Sequence, residues 1–455
     1  MRISILFFLL LSIHSWSQQF DPSRFTDWSL AGMQGKRMFP TNEINFLEVG
    51  GLNDGKPGND EIIKKVLKEC KEEPLVIYFP EGTYYFQKPI TLPSNTVLKG
   101  ADAEKSRFKF NLNGSSHCIQ TVGKQTKDTL LITESIKKGD EFIEVTPNSK
   151  IEAGNWIRII DNDHDKVYSS WARGKTGQIV QVESLEGTRI KLKSPTRRDY
   201  LLENNPKVVL LDMNENVGIE SMTITREDPT KTQTDNIHFR FTVNSWVKDV
   251  KSYSCNYAHV RLEFANNCEI IDSFFKDGHS YGSGGKAYGI ACQFASGECL
   301  IQGNTFEHLR HSMLLQAGAN GNVFSNNTSS NPYWEDVRLP SGSAGEITLH
   351  GNYVYCNLLD NNRCGNIIID ASHGLNGPYN TFIRNYVDGY GIIITSKKSA
   401  TSQNFIGNEI VKSKFLRGKY KIKGENHFEY GNKVRGKNKP KGTSIDGFDW
   451  SLIHQ

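Results

Sequence analysis

Short segments in which apolar and polar residues alternate are the clearest pattern in this chain. In YAHVRLEF, residues 257–264, apolar positions fall on one face of a strand, whereas His259, Arg261 and Glu263 fall on the other. Related strands recur downstream and once upstream, as NIHFRFTV, YGIACQF, HSMLLQA, EITLHGN, NIIIDAS and GIIITSK. The pattern therefore predicts one β unit that is used repeatedly.

The repeat has a period near 22 residues. Asn-rich segments such as NCEIIDSFF, YNTFIRNYV and SQNFIGNEI return mostly every 21 to 23 residues, with two longer steps of 31 and 35 residues. A period of this length, with short strands and polar turns, is typical of a parallel β-solenoid. Asn side chains stacked at its turns are expected to hydrogen-bond from coil to coil.

The region from residue 45 to 100 adds a helix and several short strands to this picture. NDEIIKKVLKEC has helical spacing, LVIYF is a strand, and PEGTY is a turn. Together with Asp54-Gly55, Phe79-Pro80, Gly82-Thr83-Tyr84 and Leu98-Lys99-Gly100, this region resembles the N-terminal cap and first coils of pectate-lyase-superfamily proteins. The resemblance implies an all-β, right-handed parallel β-helix with an N-terminal capping helix. It does not choose a reaction, because that superfamily includes lyases, hydrolases, epimerases and phage tailspikes.

The chain divides into five predicted segments. Residues 1–17 combine a basic start, an apolar run and small residues, so we predict a signal peptide cleaved after Ser17 and an exported protein, periplasmic or secreted. Residues 18–128 form the cap and first coils, and the short alternating strands of residues 129–200 form a small β insertion. Residues 201–430 form the main coils, and residues 431–455 form a basic C-terminal tail.

Composition and charge narrow the range of partners, metals and cofactors that we expect. The net charge is only +4, and no phosphate loop or nucleic-acid motif is present, so we expect no nucleic-acid or membrane partner. No trimerising C-terminal segment is recognisable, which favours a monomer over a tailspike-like trimer. The eight cysteines lack CxxC spacing, which argues against zinc ligands. Several of them lie on inward strand positions, which favours buried thiols over the disulfides that an exported chain could form. DNDHD, residues 161–165, has alternating acids but lacks the glycine and distal glutamate of a calcium loop. We therefore expect no metal or cofactor, with calcium as the minor alternative.

Alignment of the repeated strands predicts columns of outward side chains on successive coils. One column contains only polar residues: Thr242, Glu263, Gln293, Gln316, His350, Asp370 and Thr395. A second column begins with Arg240 and Arg261, and a third contains His238, His259 and Glu346. Unbroken polarity favours a groove that holds a polar chain along the rod, whereas the alternative is an ordinary solvated face.

Two long loops precede strands of these columns. Residues 276–289 carry Tyr281 and Lys286, and residues 331–346 carry Trp334, Glu335 and Asp336. Long loops on a rigid scaffold often carry function. Arg310 and His311 lie just before one strand, and His373 closely follows Asp370. We expect these side chains to overhang the same groove.

These residue types favour β-elimination of an acidic, uronate-containing polysaccharide. That reaction needs a cation for the carboxylate, a base for the C5 proton and an acid for the leaving oxygen. We predict a catalytic set of Arg261, His259, His350, Glu263 and Asp370. The predicted substrate-binding residues are His238, Arg240, Gln293, Gln316, Glu346, His373, Arg310, His311, Tyr281, Lys286 and Trp334.

Two other functions remain open. A glycoside hydrolase needs two carboxyl groups about 5 to 9.5 Å apart, and Asp370 with Glu346, or with loop residues Glu335 or Asp336, is the candidate pair. The other alternative is a non-catalytic glycan-binding β-helix.

Overall fold

The protein is a right-handed parallel β-helix, seen here in a computed structural model. The structure describes residues 21–35, 37, 40–69, 73–147, 150–282, 284–333, 345–412 and 418–448. The predicted signal peptide lies outside these residues, as do Trp334, Glu335 and Asp336. The fold class predicted from the repeat and from the N-terminal resemblance is confirmed.

Three faces, called the first, second and third face, wind around one apolar core. The first face contains Glu43–Asn45, Leu75–Phe79, Thr96–Gly100, the starts of Gly218–Arg226 and Trp246–Cys255, Glu269–Ile271, Leu300–Gln302, Val323–Ser325, Leu358–Asp360, Thr381–Ile383, Asn404–Ile406 and Phe428–Tyr430. The second face contains Gly82–Phe86, Ser106–Phe110, the ends of Gly218–Arg226 and Trp246–Cys255, Phe274–Gly278, Thr305–Glu307, Thr328–Ser330, the starts of Arg363–Ile369 and Tyr386–Ile394, Glu409–Ile410 and Asn432–Val434.

The third face carries most of the predicted site. It contains Ile90–Thr91, Ile119–Gln120, Ile237–Arg240, Ala258–Glu263, Tyr288–Gln293, His311–Leu315, Ile347–Leu349, the ends of Arg363–Ile369 and Tyr386–Ile394, and Lys419–Lys421. Alternate residues of these strands, such as Val260 and Leu262, point into the core with no exposed surface. Intervening side chains such as Arg261 and Glu263 face outward, because the side chains of a strand alternate between its two sides.

Asparagine ladders hold the turns of neighbouring coils together. In one ladder, each amide nitrogen donates to the side-chain oxygen one coil ahead at 2.9–3.0 Å, through Asn304, Asn327, Asn362, Asn385, Asn408 and Asn432. All six residues are almost completely buried, so these bonds satisfy polar groups that would otherwise be costly to bury. The predicted structural role of the repeated asparagines is confirmed.

The β insertion is a separate antiparallel sheet packed against the solenoid. Its strands are Lys124–Leu131, Phe142–Glu144, Trp156–Ile160, Gln178–Glu186, Arg189–Leu192 and Lys207–Asp212. It has its own apolar core, and a second cluster joins Trp156 and Ala172 to Phe264 and Phe294 of the solenoid. The 3-10 helix Ser170–Ala172 therefore lies at the edge of the third face.

The remaining elements are small. The helix Asn59–Glu69 packs on the first coils, as predicted. Asn214–Glu215 pairs with Thr242–Val243, and Asn432–Val434 pairs antiparallel with Lys437–Lys439 inside the predicted basic tail. Further 3-10 helices are Pro22–Arg24, Leu202–Asn204 and Ile445–Gly447. No helix in the described part of the chain is long and apolar enough to cross a membrane.

The cysteines and the DNDHD segment have structural environments. Seven cysteines, all those within the described ranges, are free and buried, which agrees with the prediction of buried thiols. Asp161 forms a bidentate ion pair with Arg198 at 2.6 and 2.8 Å. Asp163 accepts hydrogen bonds from the Gly174 amide and the Thr176 hydroxyl. The oxygen atoms of both carboxylates therefore accept hydrogen bonds from protein donors, and a calcium ion would have to bind through the same oxygen atoms.

Candidate functional site

The observed register corrects the first member of all three predicted columns. Arg240, rather than Thr242, lies beside Glu263, and the column continues through Gln293. It then runs through Gln316, His350, Asp370 and Thr395, as the pairing of the preceding strand residues shows. His238 likewise lies beside Arg261. The error arose because Phe241 and Phe264, which stack 4.5 Å apart, both adopt left-handed backbone and end their strands at equivalent positions.

A cleft of about 660 Å³ opens on the third face. Its floor includes Glu263, Gln293, Gln316 and His350 of the polar column, together with Arg261. Further lining residues are Trp171, Gln233, Tyr257, Gly284, Gly285, Tyr288, Phe294, Arg310, Ser372 and His373. The structure therefore brings seven of the predicted site residues into one concavity.

His350 and Asp370 form a hydrogen-bonded polar pair at the cleft. His350 Nδ1 lies 2.7 Å from Asp370 Oδ2, while Asp370 Oδ1 accepts a hydrogen bond from the Ser372 amide at 2.8 Å. When Nδ1–H donates to the carboxylate, the lone pair of the imidazole is on Nε2. The pair thus presents an oriented base, as the sequence predicts for adjacent coils.

The imidazole ring of His373 packs against that of His350. Its ring meets that of His350 edge-on, with centroids 4.7 Å apart, and its Nδ1 lies 3.0 Å from the hydroxyl of Ser169 in the insertion. Burial and the neighbouring His350 lower the pKa of His373, so it is neutral at neutral pH. Trp171 contacts the same ring edge-on at 5.3 Å.

Arg310 and Tyr288 form a second polar pair that lines the cleft. Arg310 Nη1 donates to Tyr288 Oη at 3.3 Å. Burial raises the pKa of Tyr288, although Arg310 opposes the shift, so the phenol keeps its proton well above neutral pH. Arg310 remains partly exposed and can meet an anion of the substrate.

The glutamines of the polar column are held in place by a tyrosine. Gln316 Nε2 donates to Gln293 Oε1 at 2.6 Å and to Tyr257 Oη at 3.2 Å, and Tyr257 Oη donates to Gln293 Oε1 at 3.2 Å. Each amide retains a further polar atom that can bond sugar hydroxyls. The fixed side chains form a polar floor between the two ends of the cleft.

Arg261 is tied to a buried network at the far end of the cleft. Its Nη2 pairs with Asp235 Oδ2 at 2.7 Å, and its guanidinium lies 5.0 Å from the centre of the Tyr257 ring. Glu263 lies 3.2 Å from His238 Nε2 and 3.5 Å from Arg240 Nε. Glu263 is three strand steps from His350 in its column, a distance of about 14 Å. Arg261 and Glu263 therefore lie in a different part of the cleft from His350.

His259 and Glu346 face the interior rather than the cleft. His259 has no exposed surface and contacts Ser252 Oγ at 2.9 Å and the Asp277 carbonyl at 3.0 Å, and burial lowers its pKa to about 3. Glu346 is also fully buried and accepts a hydrogen bond from Ser329 Oγ at 2.7 Å. The third predicted column thus turns inward at the corner between the second and third faces. Neither residue reaches a substrate, and Glu346 cannot pair with Asp370 in the cleft.

The remaining predicted residues take several positions. Tyr281 stacks on Tyr333, with centroids 4.5 Å apart, and its hydroxyl bonds with His308, so it supports the loop outside the cleft lining. From the same loop, Gly284 and Gly285 line the cleft, whereas Lys286 does not. His311 is buried behind the cleft, where Nδ1 bonds with the Gly345 carbonyl at 2.6 Å.

Sequence reasoning missed Trp171, Tyr257 and Phe294. Trp171 comes from the insertion, whose docking position has no signal in the sequence. Tyr257 directly precedes the strand that carries Arg261, and its place at the start of the alternating segment was the available signal. Phe294 follows Gln293, and its ring packs at a tilt against that of Phe264, with centroids 5.5 Å apart, in a column of aromatic residues at the strand ends.

Comparison with known proteins supports the fold. Residues 44–183 match the family described as rhamnogalacturonase A/epimerase, pectate lyase-like. The tailspike gp61 of Pseudomonas phage phi297 superposes with a TM-score of 0.59 at 14% identity, covering 87% of this chain and 76% of that one. ORF18 of Geobacillus virus E2 superposes with a TM-score of 0.51 at 14% identity, covering 87% and 60% of the two chains. No curated protein sequence is significantly similar to this chain.

These matches agree with the resemblance found in the N-terminal coils. The family match covers the cap, the first coils and part of the insertion, and the structural matches cover most of the solenoid. At this level of identity the structural similarity concerns the fold. The chemistry must therefore be inferred from the cleft itself.

Proposed function

We propose that this chain is an exported, monomeric polysaccharide lyase that β-eliminates an acidic polysaccharide bound in the cleft of the third face. The observation that carries the proposal is that the His350–Asp370 pair shares one cleft with Arg310 and Tyr288. A pectate lyase-like family match over residues 44–183 supports polysaccharide as the substrate class.

Each group of the cleft has a role in this reaction. His350 Nε2 accepts the C5 proton of a uronate residue, and Asp370 orients the imidazole and stabilises its charged form. Arg310 neutralises the uronate carboxylate, which lowers the barrier to carbanion formation. Tyr288 donates a proton to the leaving oxygen, since its buried phenol remains protonated. The C–O bond breaks as the C4–C5 double bond forms, so no water is consumed.

The positions of the two arginines change their predicted roles. Arg261 was expected to neutralise the carboxylate at the reacting sugar, but it lies at the Glu263 end of the cleft and is paired with Asp235. We assign Arg310 to the reacting sugar and Arg261 to a neighbouring sugar of the same chain. Trp171 and Phe294 form an aromatic wall on which sugar rings can pack.

A hydrolytic mechanism has less support. Asp370 is engaged with His350 and the Ser372 amide, and Glu346 is inaccessible. Glu263 and Asp370 are four strand steps apart in the column, about 19 Å, which exceeds the separation that a pair of catalytic carboxyl groups requires. Glu335 and Asp336 lie outside the described residues.

The test is incubation of the purified mature chain with alginate, pectate, chondroitin, ulvan and carrageenans. Ultraviolet absorbance reports unsaturated ends, and a reducing-sugar assay reports all new ends. We expect both signals to rise on one uronate-containing polymer, and both to be lost in His350→Ala but not in His164→Ala, a control histidine on the exposed surface of the insertion. Reducing ends without absorbance would contradict elimination and favour hydrolysis. Binding without either signal would favour the glycan-binding alternative.

A further inference from the structure

We propose that His117, Asp235 and His238 form a binding site for a divalent transition-metal ion at the margin of the cleft. Each residue offers one ligand atom, and these atoms all lie within 4.8 Å of one another. This site could not be predicted from the sequence, because the three residues do not match a known ligand spacing. The proposal does not depend on the lyase activity.

The solenoid brings the three residues together from two adjacent coils. His117 precedes the strand Ile119–Gln120, which pairs directly with Ile237–Arg240, the strand that holds His238. Asp235 lies just before that strand, with Oδ2 2.9 Å from His117 Nδ1. The two imidazole rings are 4.3 Å apart between centroids. Since strand pairing fixes both backbones, the ligand set is held without a flexible loop.

A second carboxylate orients one of the ligands. His238 Nε2 lies 3.2 Å from Glu263 Oε2, and a hydrogen bond from Nε2–H leaves the lone pair on Nδ1. A carboxylate behind a histidine is a common arrangement at metal sites, because it fixes the ring and raises its basicity. Glu263 would therefore act on the ion through His238.

The Asp235 carboxylate is also incompletely satisfied. It has no exposed surface. Oδ2 lies 2.9 Å from His117 Nδ1 and 2.7 Å from Arg261 Nη2, whereas Oδ1 has no partner among the described residues. Buried carboxylate oxygens normally have several donors, and a bound cation would supply the missing contacts.

The ligand chemistry selects the class of ion. Two imidazole nitrogens and one carboxylate oxygen suit zinc, manganese, iron, cobalt or nickel better than calcium, which prefers oxygen ligands. The remaining positions would be filled by water or by an oxygen of the saccharide, since the adjoining Arg261 and Glu263 line the cleft. The positive charge of Arg261 beside Asp235 disfavours a second cation, so we expect moderate affinity.

The test uses the purified mature chain after chelator treatment and dialysis. Titration with Co²⁺, followed by visible d–d absorption and by metal analysis, should show about one equivalent bound per chain. His117→Ala should weaken binding by at least about tenfold. His308→Ala is the matched control, because it removes another partly buried histidine paired with a carboxylate, Asp277, at 2.8 Å. This control should bind Co²⁺ as the native chain does.

Each outcome decides the proposal. No Co²⁺ absorption in the native chain, or equal binding by His117→Ala, would overturn it. Circular dichroism would show whether His117→Ala unfolds, and His117→Gln would then replace it. The Co²⁺ titration of the native chain tests the proposal whether or not the variant folds. The measurement contains no polysaccharide, so its failure is distinguishable from failure of the lyase proposal.

Discussion

At the scale of single residues, the account depends on how a few side chains of the cleft are held. His350 has one nitrogen fixed by Asp370, whereas Tyr288 has its hydroxyl beside Arg310. The first arrangement favours proton removal and the second favours proton donation. Substitutions at Asp370 and Tyr288 test whether these residues act in catalysis or only stabilise the fold.

Asp370→Asn should lower kcat by about 10²-fold and leave KM nearly unchanged, because it removes the group that fixes His350 without removing a substrate contact. Steady-state kinetics on the cleaved polymer test this. Asp388→Asn, which breaks a partly exposed pair with Arg363 at 3.1 Å, should change neither constant. A rise in KM alone would contradict the positioning role of Asp370.

Tyr288→Phe should lower kcat by about 10²-fold, since phenylalanine cannot donate the proton. The donor must be protonated, so native activity should decline only as pH rises through the raised pKa of Tyr288, above about 10. The alkaline decline should be absent from the residual activity of the variant. Tyr390→Phe, in which the lost hydroxyl contacts Lys419 at the surface, is the control. An unchanged kcat in Tyr288→Phe would exclude it as the proton donor.

At the scale of elements, a strand-to-strand corner and a docked insertion shape the cleft. The corner between the second and third faces turns the column of His259 and Glu346 inward. The insertion places Trp171 on the cleft wall, where it is 37% exposed and available to a sugar. Each feature leads to a measurable effect, one on stability and one on binding.

Glu346→Gln should stabilise the fold at alkaline pH. Burial raises the pKa of Glu346 to about 8, so the folded state retains a proton that the unfolded chain loses above its ordinary pKa near 4.3. Native stability therefore falls as pH rises from that value towards 8, by an amount on the order of a few kcal/mol. Glutamine removes this dependence.

Thermal melting of both proteins between about pH 5 and pH 9 provides the comparison. The native melting temperature should fall relative to that of Glu346→Gln as pH increases. Glu429→Gln, which changes a partly exposed acid on the first face, should follow the native curve. Parallel curves for the native chain and Glu346→Gln would show that Glu346 is not protonated in the fold.

Trp171→Ala should raise KM about tenfold and change kcat little, because the indole contacts the substrate away from the reacting bond. The ring packs against Phe294 at 5.8 Å and His373 at 5.3 Å. Phe142→Ala is the control, since it removes another exposed aromatic side chain of the insertion. Equal KM values for Trp171→Ala and the native chain would remove the insertion from substrate binding.

At the scale of the whole molecule, the repeat explains why the fold could be predicted. A period near 22 residues and asparagines such as Asn327 and Asn362 specify stacked coils, because each coil must satisfy the buried groups of the next. The polar column was also largely predictable. His350 and Asp370 could be placed on adjacent coils because both follow an inward apolar pair in the repeat.

The rest of the site depended on information that the repeat does not carry. Alternation placed His259 outward, but the corner of the coil reverses its direction. The column was shifted by two residues at Thr242 because left-handed Phe241 ends that strand early. The position of Trp171 and the proximity of His117 to His238 depend on how segments that are distant in the sequence pack together. A single sequence does not specify such contacts.

The central claim, elimination at His350, is tested most directly by the mass of the products. The polymer that the native chain cleaves should be digested to oligosaccharides and analysed by mass spectrometry, with His350→Ala treated in parallel. The account predicts new non-reducing ends that lack one molecule of water, and none from the variant at equal protein. Fully hydrated products from the native chain, or unsaturated products from His350→Ala at the native rate, would contradict it.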